Sequence, residues 1–169
     1  MRKPMIICTA VVTLLAASGL VRAHMHDEDL PAGPIRDRHE LMEGIGKNAK
    51  IIGDALKSGK LDPVADAAGK IHASAGKVAA LFPKGSADPK SRAKPEIWEH
   101  WDKFETLSKE LETKAGELAA AAKSGGGAGA GGGAGAGGDV GAAADAMFGK
   151  CKSCHDDFRK PEKKGEGKS

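Results

Sequence analysis

Two cysteines and a histidine stand close together near the carboxyl end of the chain, in the run Cys151-Lys152-Ser153-Cys154-His155. The pattern C-x-x-C-H is the attachment signature of a c-type haem. On a helix, cysteines three positions apart share one face, so both thiols can reach the two vinyl groups of one porphyrin. His155 then lies beneath the ring that the cysteines fix, where its imidazole can bind the iron as proximal ligand. The spacing predicts one covalently attached haem c.

Other chemistries of paired cysteines fit this sequence less well. A structural zinc site needs about four ligands. Cys151 and Cys154 are the only cysteines outside the amino-terminal leader, and no second Cys or His pair stands at zinc-finger spacing. A thioredoxin-type C-x-x-C would belong to a β-α-β pattern, and the sequence contains no strand pattern.

Residues 1–23 have the composition of a secretory signal peptide. Arg2 and Lys3 give a positive start, residues 5–20 are apolar, and Ala23 ends a small-residue cleavage site. The apolar run is short for a membrane span, which needs about 20 apolar residues. We therefore predict an exported bacterial protein of the periplasm, with no membrane span once the signal is removed. Export agrees with the haem motif, because bacteria attach c-type haem outside the cytoplasm.

The charge balance gives no indication of a nucleic-acid partner. The whole chain has 26 basic and 23 acidic residues, a formal net charge of +3. The leader contains Arg2, Lys3 and Arg22 but no acid, so the rest of the chain has 23 basic and 23 acidic residues and is neutral. A nucleic-acid-binding domain would be expected to carry a basic patch.

No catalytic constellation accompanies the haem motif, so we predict that the protein is not an enzyme.

Apolar side chains at alternating steps of three and four predict four helices. Their spans are about residues 35–57, 62–82, 95–122 and 140–159. The inner stripe of the first helix is Arg38, Met42, Ile45, Ala49, Ile52 and Leu56, and that of the last is Ala143, Met147, Cys151, Cys154 and Phe158. Helices of this length joined mostly by short loops predict an all-α fold, an antiparallel four-helix bundle around a core cofactor.

Three segments interrupt or flank the predicted four-helix domain of residues 35–160. Residues 24–34 are polar, contain two prolines and predict a flexible arm. Residues 124–138 contain only Ser, Gly and Ala and predict a flexible linker between the third and fourth helices. Residues 161–169 form a charged tail.

A C-x-x-C-H motif at the end of a four-helix chain resembles the class II cytochromes c, the cytochrome c-prime family, whereas class I cytochromes c carry it near the amino terminus. Arg-His-Glu-Leu-Met at 38–42 is similar to the family's first-helix pattern. Lys-Pro-Glu-Ile-Trp at 94–98 is similar to its third-helix opening. The run 151–159 is similar to its haem segment, including a basic residue four after the histidine. The resemblance covers about residues 34–160.

The resemblance implies two functions that differ at the distal face of the iron. Met42 stands four residues after Arg38, where the family places its distal residue. With Met42 and His155 as axial ligands, the protein would be a low-spin carrier of single electrons between redox partner proteins. We predict this function, most similar to the low-spin members. The alternative is a five-coordinate, high-spin cytochrome c-prime that binds NO or CO, in which Met42 only fills the core.

Further side chains are predicted around the haem. Arg38 and Arg159 are predicted to contact the haem propionates or the haem edge. His39, His72 and His100 could bind iron by their chemistry, but each lies beside an apolar stripe, so we predict that they are partly exposed surface residues. The sequence leaves open the identity of the redox partner and the formation of a homodimer.

Overall fold

The computed structural model describes residues 30–126 and 134–161. Within these residues the chain forms five α-helices: α1 (Pro34–Ser58), α2 (Asp62–Ala75), α3 (Glu96–Glu99), α4 (Trp101–Gly126) and α5 (Ala134–Phe158). The four long helices pack as a bundle, which confirms the predicted all-α fold. The predicted signal peptide, most of the predicted arm and tail, and the middle of the Gly/Ala linker lie outside the described residues.

Helix α1 has the ends that its sequence predicts. Pro34 occupies the first turn, where its missing N–H is not needed. Gly59 follows the last residue with a φ of 68°, a left-handed conformation that favours glycine, and its N–H donates to the carbonyl of Leu56 at 3.3 Å. The helix therefore presents a fixed face of about seven turns to the rest of the bundle.

The second and third predicted helices are shorter or broken in the structure. Helix α2 ends at Ala75, and Gly76 follows it, a residue that weakens a helix. The Ala75 carbonyl accepts from Val78 N in a tighter turn and from the Ser108 hydroxyl, both at 3.1 Å. A 3₁₀ helix follows at Ala79–Leu81. The third helix is interrupted at His100, whose φ and ψ of −120° and 46° are not helical. The His100 carbonyl accepts from Phe104 N at 3.1 Å and so starts α4.

Helices α4 and α5 continue into both ends of the predicted flexible linker. Helix α4 reaches Gly126 and α5 begins at Ala134, whereas the sequence predicts helix ends near 122 and 140. Extending an existing helix needs no new nucleation, so each helix can continue into the linker. Alanine, which has the highest helix propensity, stands only in the extension of α5, at Ala134 and Ala136.

The core lies along α2 and α4. Helix α2 packs against α1 and α4, and α4 packs against α5, whereas α1 and α5 make only sparse contact with each other. The largest fully buried side chains are Phe104, Ile52, Ile71, Ile97, Leu118, Met147, Val64 and Val140. Three of the four interfaces expected of a closed bundle are thus packed with side chains, and the fourth is open. No helix in the described part of the chain is long and apolar enough to cross a bilayer.

Candidate haem-binding site

A cavity of about 430 Å³ lies between α1 and α5, where these two helices have few direct contacts. One face of α1, with residues at helical steps of three and four, forms one wall. That wall consists of Ile35, Arg38, His39, Met42, Glu43 and Gly46. Cys154, His155 and Phe158 of α5, with Arg159 beyond it, also line the cavity. Five of the residues predicted to surround the haem therefore line one cavity: Arg38, Met42, Cys154, His155 and Arg159.

Aromatic rings form an apolar floor to the cavity. The ring of Phe104 lies edge-on to Phe82, with centroids 4.9 Å apart, and to Phe158, with centroids 5.4 Å apart. Trp101 lies beside Phe104 at 5.6 Å. Edge-to-face pairs at such distances are favourable, so the floor holds its shape beneath a flat apolar ligand.

The donor set and the shape of this cavity fit a haem. Both Cys151 and Cys154 are free thiols and partly buried. Cys154 lines the cavity beside His155, while Cys151 lies one turn earlier and packs against the core. Across the cavity, a Cβ added to Gly46 would have no atom within 4 Å, which leaves space for a porphyrin near the α1 backbone. Two thiols and one imidazole on one helix are the groups that covalent haem attachment requires.

The surroundings set the protonation of these groups. Burial raises the pKa of the Cys151 thiol, and burial together with the negative charges of Cys151 and Asp157 raises the pKa of Cys154 to about 11. Partial burial lowers the pKa of His155, and the positive charges of Arg159 and Arg92 lower it further, while the negative charge of Asp156 opposes this shift. The structure therefore favours protonated thiols and a neutral imidazole, the form of histidine that binds a metal.

Arg38 lines the cavity, but its guanidinium donates hydrogen bonds to the loop after α2. It is 4% exposed, and its guanidinium donates to the Ser86 hydroxyl at 3.0 Å, the Ser86 carbonyl at 2.9 Å and the Ser91 hydroxyl at 2.9 Å. It also lies 4.8 Å above the Phe82 ring. Burial lowers its pKa, and the nearby Asp88 opposes that shift. The observed role of Arg38 is to hold the loop after α2 against α1, and its contact with a haem propionate stays a prediction.

We expect Arg38→Met to lower the free energy of unfolding by about 2 kcal/mol, because it removes charged hydrogen bonds and leaves partly buried loop acceptors unpaired. Chemical denaturation followed by circular dichroism measures this. Lys47→Met is the control, since Lys47 is exposed on the same helix and pairs with Glu43 at 2.9 Å; its expected change is under about 0.5 kcal/mol. Equal unfolding midpoints for the two variants would show that the Arg38 contacts do not brace the loop.

The histidines and methionines are placed differently from one another. Met42 is partly buried in the α1 wall of the cavity, whereas Met147 is fully buried in the core and is not among the cavity-lining residues. His72 and His100 are exposed, as predicted. His39 is partly exposed but also lines the cavity, with Nε2 4.0 Å from a Glu43 carboxylate oxygen. The sequence prediction missed this placement, although residues three apart, such as 39 and 42, share a helix face.

The loop between α2 and α3 supplies cavity residues that helical periodicity could not indicate. Lys90, Ser91, Arg92 and Ala93 line the cavity. They lie in an irregular segment without an apolar repeat. The only sequence signal near them is the Lys-Pro-Glu-Ile-Trp run that follows.

A four-helix bundle that places a C-x-x-C-H segment on the wall of an apolar cavity defines the class of haem c cytochromes. A model of the Cytochrome C′ family matches residues 33–159. The chain belongs to this family, whose members bind one covalently attached haem c.

Individual relatives agree with the family match. A cytochrome c′ from Rhodospirillum rubrum is 33% identical over 132 residues, which are 76% of this chain and 83% of the relative. The crystal structure of cytochrome c′ from Thermochromatium tepidum is 28% identical with a TM-score of 0.66, covering 76% of this chain and 95% of that chain. Cytochrome c′ from Rhodopseudomonas palustris is 26% identical with a TM-score of 0.64, covering 78% and 99%.

These comparisons support the family but not the low-spin subgroup that the sequence analysis predicted. Cytochromes c′ are typically high-spin, and the matched relatives bear that name. Met42 stands where the resemblance places the distal residue, but a methionine in a helix stripe packs equally well as an apolar residue. The five-coordinate alternative is therefore better supported than Met/His ligation.

Proposed function

We propose that this protein is a periplasmic cytochrome c′ that binds NO or CO at haem iron for which His155 is the only protein ligand. Membership of a typically high-spin, periplasmic family is the observation that carries this proposal. When bound, the haem supplies an iron that takes a diatomic gas and changes its charge by one electron. Neither process makes or breaks a bond in an organic substrate, in agreement with the prediction that the protein is not an enzyme.

The residues of the cavity then have separate roles. Cys151 and Cys154 would hold the haem through thioether bonds, and the imidazole of His155, kept neutral by its surroundings, would bind its iron. Met42, an apolar residue of the cavity wall, would limit the size of the ligand that can enter. Arg159 would place a positive charge near the haem propionates. Arg38 would do the same through the part of its guanidinium that Ser86 and Ser91 do not occupy.

One-electron transfer with Met42 as the sixth ligand is the second candidate. It is favoured by the placement of Met42 in the same cavity as His155. Two axial protein ligands would exclude gases and favour fast exchange of electrons with a redox partner protein. Either function is compatible with a homodimer, which we propose because proteins of this family are often dimeric.

Titration of the reduced holoprotein with CO separates the two candidates. We expect CO to bind at low concentration with a single equilibrium and a large change in the Soret band, because no protein ligand has to leave. NO should bind as well. A reduced protein that keeps its spectrum under saturating CO would favour electron transfer with Met42 bound to the iron.

A further inference from the structure

The end of α5 directly after the haem motif is held by residues that lie more than sixty positions earlier in the sequence. Ala93 and Arg159 form an antiparallel bridge. Lys160 N donates to the Arg92 carbonyl at 2.8 Å, and the Arg92 guanidinium donates to the Lys160 carbonyl at 2.8 Å. Residues 91–94, named the clamp segment here, therefore pair with the chain just beyond His155.

Lys94 of the clamp segment donates hydrogen bonds to most of the backbone carbonyls at the end of α5 that have no partner within the helix. The last four carbonyls of an α-helix have no partner within the helix. Here His155 O accepts from Arg159 N at 3.1 Å, and Phe158 O accepts from Lys94 N at 2.9 Å. The Lys94 ammonium donates to Asp156 O and Asp157 O, both at 2.9 Å. Lys94 thus caps three of the four carbonyls, and its charge complements the negative end of the helix dipole.

The clamp segment also connects this helix end to the cavity. Ser91, Arg92 and Ala93 line the cavity themselves. The Lys94 carbonyl accepts from Ile97 N at 3.3 Å, and Ile97 is a buried cavity residue. Pro95 fixes the backbone between them. A shift of Lys94 would therefore move the last turn of α5, which carries His155, relative to the cavity.

We propose that Lys94 is a positioning residue that fixes the orientation of His155 toward the iron by capping the carboxyl end of α5. This inference rests on the proposed ligation by His155. The imidazole belongs to the turn whose carbonyls Lys94 holds, so the strain and direction of the iron–histidine bond depend on these hydrogen bonds. It also gives a physical reason for the lysine that opens the Lys-Pro-Glu-Ile-Trp run.

The test compares Lys94→Met with Lys103→Met in the covalent holoprotein. Lys103 is the matched control, because its ammonium pairs with the Asp157 carboxylate at 3.0 Å at the same helix end without capping a carbonyl. Resonance Raman spectra of the ferrous protein report the iron–histidine stretching band. Amide hydrogen exchange reports fraying of the last turn of α5 independently of the haem.

We expect Lys94→Met to displace or broaden the iron–histidine band, to change CO affinity and to speed exchange in the last turn, while Lys103→Met resembles the wild type. Faster amide exchange with an unchanged iron–histidine band would show that Lys94 only stabilises the helix end, and would overturn the proposal. Equal band shifts in both variants would overturn it too, since nearby charge alone would then explain them. If Lys94→Met fails to incorporate haem, Lys94→Gln is judged by the same outcomes.

The wild-type spectrum distinguishes failure of this inference from failure of the proposed function. A wild type without an iron–histidine band lacks five-coordinate ferrous iron bound by His155 alone, which removes the proposed function and, with it, this inference. If the wild type and Lys94→Met give the same iron–histidine band, only the positioning role of Lys94 is excluded.

Discussion

Replacing both Cys151 and Cys154 with serine is expected to abolish covalent haem attachment. Serine hydroxyls are too weakly nucleophilic to form the two bonds to the porphyrin vinyl groups, so any haem that remains would be held by His155 and packing alone. Denaturing gel electrophoresis with haem staining measures the covalent fraction. Either single substitution leaves one thioether position and should give weakened staining.

Cys8→Ser is the matched control for the double variant. Cys8 lies within the predicted signal peptide, so its replacement should leave the staining of the mature protein unchanged. Undiminished staining in the Cys151/Cys154 double variant would contradict the attachment sites. Lost staining in the Cys8 variant would instead point to a defect in export.

Met42→Ala is expected to raise the affinity of the ferrous protein for CO by about tenfold, because removing a few apolar atoms from a tight pocket changes binding by roughly one order of magnitude or more. The ferric protein should stay high-spin. Stopped-flow and equilibrium titration with CO measure the effect. Met42→Leu is the control, since a swap that conserves volume should alter packing and gas access little.

The same variant distinguishes the two proposed functions. With Met42 bound to iron, Met42→Ala would remove a sulfur-to-iron absorption band, raise the spin state and lower the reduction potential, because a thioether ligand favours ferrous iron. If the wild type resists CO and Met42→Ala produces these three changes, the iron of the wild type is not five-coordinate.

Local sequence pattern predicted the bundle well because helical periodicity reports which faces are buried. Ile45, Ile52 and Met147 are buried where their stripes place them. Pattern failed where a contact from elsewhere in the chain decides the geometry. The end of α2 is one such place, because the Ala75 carbonyl accepts from the Ser108 hydroxyl as well as from Val78 N, and a contact between residues 33 positions apart leaves no periodic signal.

The candidate site was predicted in part for the same reason. The spacing of Cys151, Cys154 and His155 carries its own chemistry, and the resemblance placed Met42 opposite them in the cavity that the structure shows. The clamp segment could not be predicted, because irregular backbone pairing between residues 92 and 160 has no local pattern. The engagement of Arg38 with Ser86 and Ser91 likewise depends on how the loop folds back over α1.

The coordination of the iron in the wild-type holoprotein tests the central claim most directly. Visible absorption and electron paramagnetic resonance of the ferric form, followed by absorption of the ferrous form, report spin state and ligand number. Ligation by His155 alone predicts high-spin iron in both oxidation states and no sulfur-to-iron band in the far red. A low-spin ferric spectrum with that band, and sharp, split visible bands on reduction, would contradict the account and assign the sixth position to Met42.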